Sequence, residues 1–310
     1  MKQTYVFAAD ERYASKLMVS ITSLIESQRK FTNDNVEVYV LSNGIGESSI
    51  RLLKKISDSY RNFEIIVYDI ANLNDLLPDN IYIGNLSIAA YSRLFIPKLF
   101  ENKHRVLYLD TDILIDDNLE FLFEMDLKKN YIAGVQAVLE KGRQGFAVNS
   151  GVTLWNIPEC KKVNLFQKFM DFLEKNGDKV EFHDQTVINQ VASGKMLKLP
   201  LKYNTTTPIL LYSYQRFINM FNLSSFYSEK EYNDASNNPA IIHLTAWTTG
   251  RPWQRGNIHP YSSLYEKYAN MINVNVIDEN AFYNKKVNFI RDRFYKLAPI
   301  KIVKMYRKGR

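Results

Sequence analysis

The 310-residue sequence has a single cysteine, Cys160, so no internal disulfide can staple it. A lone thiol fits a reducing compartment. No apolar run approaches the roughly 20 residues that a membrane-spanning helix needs. The opening MKQTYVFAADERY lacks the apolar core of a secretory signal, so the expectation is a cytoplasmic protein. Acid is scarce in one place only. Residues 284–310 hold ten Lys/Arg against one acid, Asp292, a formal +9, and the chain's net +7 then leaves −2 for everything before them. A nucleic-acid-binding protein would carry its basic face across the globular part, and this distribution argues against one. The apolar share of 46% and charged share of 24% are those of an ordinary globular protein long enough for one large domain or two.

What is present centres on RVLYLDTDILI, residues 105–115. Val106 to Leu109 is an apolar, β-prone run that reads as a buried strand. It stops at Asp110-Thr111-Asp112, and Ile113 to Ile115 resume the apolar pattern. Side chains two residues apart on extended chain point the same way, so both carboxylates can converge on one cation. Two hard oxygen donors suit Mg²⁺ or Mn²⁺ and leave coordination positions for diphosphate oxygens. The competing reading makes Asp110 a turn cap and Asp112 a solvated acid.

Around that run the chain alternates. Thr4–Ala9, Val36–Leu41 and Phe63–Tyr68 read as strands, and helices are expected over Tyr13–Glu26, 47–60 and, capped by Ser87, over Ile88–Phe95. This βαβαβ order predicts an α/β fold with a mostly parallel, doubly wound sheet, which binds ligands beyond the carboxyl ends of its strands. Asp10 and Asp112 both fall at such ends. Further on, Tyr131–Val138, Gly151–Asn156, Met196–Leu199 and Ala240–Leu244 read as strands, and Pro158–Lys175 and Asp184–Ala192 as helices. Residues 203–239, rich in Asn, Ser, Thr and Tyr, read as long loops over the site.

FAADERY, SRLFIP around Arg93, LYLDTDILI, NSGVTLWN, HDQTVINQ and IIHLTAWTTGRPW occur in the order typical of glycosyltransferase family 8. Over residues 1 to about 265 the chain resembles the bacterial lipopolysaccharide α-galactosyltransferases of that family. The resemblance implies a GT-A type, Rossmann-like nucleotide-sugar fold and metal-dependent transfer from a UDP-sugar with the anomer retained. Asp110, Asp112 and His243 match the family's metal ligands; alone, a histidine beside a strand reads more readily as structural. Ala8 and Asp10 match the segment that holds uracil and ribose, where Asp10 could equally cap a helix. Arg12 stands where the family often has a small polar residue.

Arg93 matches an arginine near the sugar and the metal, though alone it reads more readily as a surface helix arginine paired with a neighbouring acid; Asn149 matches a residue of the sugar pocket, and Thr111 belongs to the metal-binding tripeptide. Asp184 matches a ligand of the sugar hydroxyls and Gln185 the residue beneath the anomeric carbon. After His243 the turn LTAWTTG is longer than usual, and Arg251 replaces the family's lysine on the diphosphate, with Gly250 and Trp253 in pattern. Trp247 has no counterpart and reads as a sugar-stacking platform or as core.

The resulting expectation is a catalytic domain over 1–265 and a basic amphipathic segment over 266–310. The activity expected is α-retaining transfer of galactose or glucose from a UDP-sugar to a glycan, glycolipid or glycoprotein, with Mn²⁺ (Mg²⁺ also suited). The tail, where Phe289, Ile290, Leu297 and Ile302 intersperse with Lys and Arg, is expected to lie on the inner leaflet of the cell membrane. A nucleotidyltransferase making sugar nucleotides would want a Gly-rich, Lys/Arg-bearing loop after the first strand, and FAADERY has none. A non-catalytic glycan-binding relative is the other alternative, and the intact DxD speaks against it.

Overall fold

The computed structural model describes residues 3–31, 35–79, 81, 88–138, 146–177, 180, 183–282 and 284–308. Its elements begin β1 (Gln3–Ala9), α1 (Ala14–Gln28), β2 (Val36–Ser42), α2 (Glu47–Asp58) and β3 (Phe63–Asp69). A 3-10 helix, Ile88–Phe95, leads through the short α3 (Ile96–Leu99) to β4 (Arg105–Leu109) and β5 (Ile113–Ile115). There follow α4 (Glu120–Glu124), β6 (Ile132–Gln136), β7 (Val148–Asn156), α5 (Ile157–Lys162), α6 (Leu165–Asn176), α7 (His183–Val191) and β8 (Met196–Lys198).

The main sheet runs β3-β2-β1-β4-β7-β6-β8, and every neighbouring pair is parallel except those made by β7. Its central strands are buried on both faces, as parallel sheets require. Tyr5, Phe7, Leu107 and Leu109 enter one core layer, while Val6, Ala8, Val106 and Tyr108 enter the other. The two-residue period of extended chain sorts one apolar run into two layers. Each expected strand of the first half lies within a residue or two of an observed one.

At Asp110 the chain leaves this sheet. β5 pairs instead with β10 (Ile241–His243), which also takes β9 (Thr205–Thr206), making a second, three-stranded sheet. Backbone leaving one ladder for another needs new partners, and α1 supplies them. Twelve of its fifteen residues are buried, five of them polar, and Ser20, Ser23 and Gln28 among these bond the crossing. Ser20 Oγ lies 2.7 and 2.8 Å from the carbonyls of Thr111 and Ile113, and Ser23 Oγ accepts from Ile115 N. Gln28 takes the amide of Leu119 and donates to the carbonyl of Asp117, while Ser27 Oγ accepts from that glutamine's amide nitrogen.

Two expectations need correction. The single helix over Pro158–Lys175 is two, α5 and α6, because Asn164 takes a left-handed conformation (φ 47°) between them. The stretch 203–239 is not loop but largely helical: α8 (Thr207–Leu211), α9 (Tyr214–Phe221) and α10 (Glu229–Asn237). There, polar residues are caps rather than loop markers: Ser228 Oγ accepts from Glu231 N at the start of α10. The expected cap Ser87 lies outside the described residues.

The C-terminal part comprises α11 (Ser262–Met271), the two-stranded pair β11 (Gln254–Arg255) and β12 (Asp278–Phe282), α12 (Lys285–Leu297) and α13 (Ile300–Lys308). The expected boundary at 265/266 falls inside α11. Tyr295 and Val303 are buried in the larger core, and Arg216 of α9 donates to the carbonyls of Tyr295 and Ala298. Among the described residues, no helix is long and apolar enough to cross a membrane.

Candidate active site

The carboxyl ends of β1 and β4, the turn of β7, the start of α7 and the end of β10 enclose a cleft of about 640 Å³. Ala8, Asp10, Arg93, Asp110, Thr111, Asp112, Asn149, Asp184, Gln185, His243 and Arg251 all line it, whereas Gly250 and Trp247 do not. Gly250 instead turns the long loop after β10, with a φ of 73° that favours glycine.

Backbone bonds hold the DxD rigidly. The amide of Asp110 donates to the carbonyl of Gly151, and the carbonyl of Asp112 accepts from Leu244 N, both at 2.8 Å. His243 Nε2 then lies 3.2 Å from Asp112 Oδ1 and 3.9 Å from Asp110 Oδ2. One ligand atom from each of the three falls within 4.8 Å of the others. These residues fit a divalent cation: two carboxylates and an imidazole are a donor set for Mn²⁺ or Mg²⁺, with imidazole tilting the choice to Mn²⁺. The wall opposite supports that reading. A Cβ on Gly151 would lie 2.5 Å from both Asp110 Oδ2 and His243 Cε1, so only glycine lets β7 pass this close.

Charge is balanced tightly here. Burial alone would raise the Asp112 carboxyl, but His243 and Arg251 outweigh it and hold the group below the usual carboxylate range. Burial would lower the His243 ring, yet Asp112 and then Asp110 hold it above its ordinary value. A cation and a proton on Nε2 therefore compete for one position. Arg251, also in the lining of the cleft, places its Nη2 3.2 Å from Asp112 Oδ2.

Arg93 is buried and ties several groups together. It donates to Asp110 Oδ1 at 2.8 Å and to the carbonyl and hydroxyl of Ser150, and its guanidinium lies 4.4 Å from the Tyr108 ring centroid. Its Nε, bonded to the Ala90 carbonyl, is also 3.1 Å from Asp184 Oδ2. That last contact is an ion pair, not a well-aligned hydrogen bond. Burial pushes the Asp184 carboxyl up, an effect Arg93 only partly offsets. A surface arginine with one acidic neighbour is thereby excluded.

Gln185 is positioned from below. Asn189, one turn along α7, exchanges two hydrogen bonds with the backbone of Val148 and donates to the carbonyl of Gln185, clamping α7 to β7. Gln185 Oε1 accepts from Ser150 N at 3.2 Å and from Asn149 Nδ2 at 3.3 Å. At the other end of the cleft, Asp10 caps no helix with its side chain and instead holds the exposed Arg12 at 2.8 Å. Trp247 is half-buried, packed on the core on one side and facing a cavity on the other. Its Nε1 donates to Tyr212 Oη and its ring packs on Phe221 and Tyr295, while another edge lines a cavity of about 210 Å³ that shares Asn149, Gln185 and Thr245 with the cleft.

A mostly parallel sheet with an Asp-x-Asp turn at its carboxyl edge defines a GT-A type fold. Glycosyl transferase family 8 matches residues 4–257, and the chain belongs to that family: it is a glycosyltransferase. Over 89% of its length it is 24% identical to General stress protein A of Bacillus subtilis, covering 96% of that protein. It is 27% identical to the lipopolysaccharide 1,2-glucosyltransferase of Escherichia coli over 84% of this chain and 80% of that one. Galactosyltransferase LgtC, solved with donor and acceptor sugar analogues, shares the fold with a TM-score of 0.68 at 22% identity, covering 90% of this chain and 98% of LgtC. Other relatives are longer proteins, of which the chain spans 62% or less.

Ser20, Asn189 and Asn204 escaped the sequence reading. Each acts through a contact between residues far apart in the chain. No spacing signal announces such a contact, and Asn204 stood in a stretch that read as loop.

Proposed function

We propose that the chain is a retaining hexosyltransferase that moves galactose or glucose from a UDP-sugar to a glycan, glycolipid or glycoprotein acceptor in α linkage. The observation that carries this reading is the convergence of Asp110, Asp112 and His243 on one point of the cleft that also gathers Ala8, Asp10, Arg93, Asn149, Asp184, Gln185 and Arg251. Asp110, Asp112 and His243 would hold Mn²⁺ or Mg²⁺, which supplies charge neutralisation to a departing diphosphate. Arg251 takes a phosphate oxygen from the side, and Ala8 with Asp10 receives uracil and ribose.

Retention follows from how the acids are committed. Among the described residues, each carboxylate lining the cleft already faces a cation: Asp10 with Arg12, Asp110 and Asp184 with Arg93, Asp112 with His243 and Arg251. None stands free as the base that inverting attack needs, and Gln185 is a poor nucleophile. Front-face attack, with Gln185 and Asp184 orienting the sugar, accounts for this set. The neighbouring 210 Å³ cavity is the acceptor's place. Its described lining contains no charged residue, and Trp247 offers a flat apolar face, which suits a neutral sugar ring.

The exposed side of α12 and α13 is read as a membrane-facing surface, attached to a catalytic part over 1–265. Ile290, Leu297 and Met305 are 66%, 70% and 73% exposed there among basic residues. Each basic residue near an anionic leaflet contributes about 1 kcal/mol.

The test is UDP release from a panel of UDP-sugars with and without Mn²⁺, followed by NMR of the purified product. An α-linked hexose formed only with the metal is expected. A β linkage would remove both the mechanism and the donor assignment.

A further inference from the structure

Asn204 is buried at 1% exposure between the cleft and the 210 Å³ cavity, which it helps to line, and the reaction outlined above gives its side chain no role. It ends a 3-10 helix, Leu201–Asn204, and β9 follows at once in parallel register with β10, Thr206 opposite His243. The ladder thus fixes the Asn204 side chain against the His243 ring. Asn204 Oδ1 lies 2.9 Å from His243 Nδ1, and Asn204 Nδ2 lies 2.8 Å from Asn149 Oδ1.

Amide oxygens and nitrogens are interchangeable in shape, so the direction of such a chain must be anchored on groups that cannot flip. Two backbone amides provide anchors. Gly151 N donates to Asn149 Oδ1 at 3.1 Å, so that atom is an acceptor and the Asn204 atom facing it is its NH₂. The oxygen of Asn204 then faces His243, and Nδ1 must carry the hydrogen. From the other end, Ser150 N donates to Gln185 Oε1, which therefore accepts from the NH₂ of Asn149 as well. Both anchors demand the same polarity.

We infer that Asn204 is a positioning residue that holds His243 with its Nε2 lone pair toward Asp110 and Asp112 and, through Asn149, sets the attitude of Gln185. With Nδ1 occupied by its hydrogen bond, Nε2 is the only ring nitrogen left for a cation, and the ring cannot swing away without breaking a buried bond. With Gln185 Oε1 turned to the β7 wall, its NH₂ is the end available to a sugar, as a hydrogen-bond donor. The inference rests on the metal reading proposed above and adds a link between the cation position and Gln185 that no catalytic side chain makes directly.

Two substitutions separate the halves. Asn204→Leu keeps the shape but can neither accept from His243 nor donate to Asn149. Asn204→Asp still accepts from Nδ1 but has no hydrogen for Asn149 Oδ1. Mn²⁺ affinity is read from the EPR signal of free Mn²⁺ in protein without any sugar donor; kcat and KM are read separately. Loss of such an outer partner weakens metal binding about 10- to 100-fold, the result expected for Asn204→Leu. Asn204→Asp is expected to bind Mn²⁺ at least as tightly as wild type while kcat falls about tenfold with KM for the donor little changed.

Wild-type Mn²⁺ affinity in a folded Asn204→Leu overturns the role toward His243. Wild-type kcat in Asn204→Asp overturns the role toward Gln185, and that variant decides the question even where Asn204→Leu does not fold, since reduced Mn²⁺ affinity in it also counts against the His243 role. A wild-type protein that binds no Mn²⁺ overturns the metal reading itself and this inference with it.

Discussion

Gly151→Ala puts one methyl group into the tightest contact of the site. The new Cβ would meet Asp110 Oδ2 and His243 Cε1 at 2.5 Å, and Asn149 Oδ1 at 3.1 Å, where ordinary contact begins near 3.4 Å. Relief needs a shift of about 0.9 Å, and none of the three neighbours is loose. Asp110 is tied through its other oxygen to Arg93 at 2.8 Å and Tyr108 at 3.1 Å. His243 and Asn149 are both tied to Asn204. Overpacking of this kind costs about 1–3 kcal/mol in stability. The site suffers more than the fold, because metal–ligand distances tolerate only about 0.2 Å. Mn²⁺ affinity should fall by at least about tenfold, equivalent to about 1.4 kcal/mol, and transfer should fall with it. Thermal unfolding, Mn²⁺ EPR and UDP release on the same preparation check this. A Gly151→Ala protein with native Mn²⁺ affinity and rate would refute the packing of β7 on the two ligands.

Three further outcomes are expected. Asp112→Asn should lose most transfer while keeping its melting temperature within a few degrees, and chelator should stop the wild type until Mn²⁺ is restored; full activity of the variant in saturating UDP-sugar sinks the site assignment. Burial holds the His259 ring down at about 4, with Nε2 on Thr207 Oγ1 and Nδ1 accepting from Tyr261 N. The unfolded ring protonates near 6.5 and the folded one does not, so stability should fall by up to roughly 3 kcal/mol as pH drops from 6.5 toward 4; His259→Gln unfolding with the same pH slope as wild type would contradict this. Replacing exposed Ile290, Leu297 and Met305 together by Ser should weaken binding to anionic vesicles at least tenfold without lowering the melting temperature, and unchanged vesicle binding would remove the membrane role proposed for the tail.

The sequence alone determined the elements whose information is local. The apolar run through β4, its break at Asp110-Thr111-Asp112 and the alternation of strands and helices before it are each written locally, so the parallel sheet and two of the candidate metal ligands could be located from them, whereas Arg93, Asn149, Asp184, Gln185 and His243 were placed by the family resemblance. Arg93 could be singled out but not understood. As a helix arginine it had an ordinary reading, and only burial between Asp110 and Asp184 makes it the centre of the site.

The tertiary structure decided everything that depends on two distant segments meeting. The serines of α1 carry no signal in the helical pattern, and their role depends on the chain between β4 and β5 leaving one sheet for another and needing their hydroxyls. Residues 203–239 read as loop because caps and loops share Ser, Asn and Thr, and propensity cannot tell which they are without the core that α9 and α10 cover. The tail read as a basic amphipathic segment because Lys and Arg dominate its composition. Tyr295 and Val303 dock it on α9, a choice made by a few buried side chains against many solvated ones. Asn204 shows the limit most plainly. Its amide could point either way in isolation, and only the backbone hydrogens of Gly151 and Ser150, brought in by β7, decide which end meets His243.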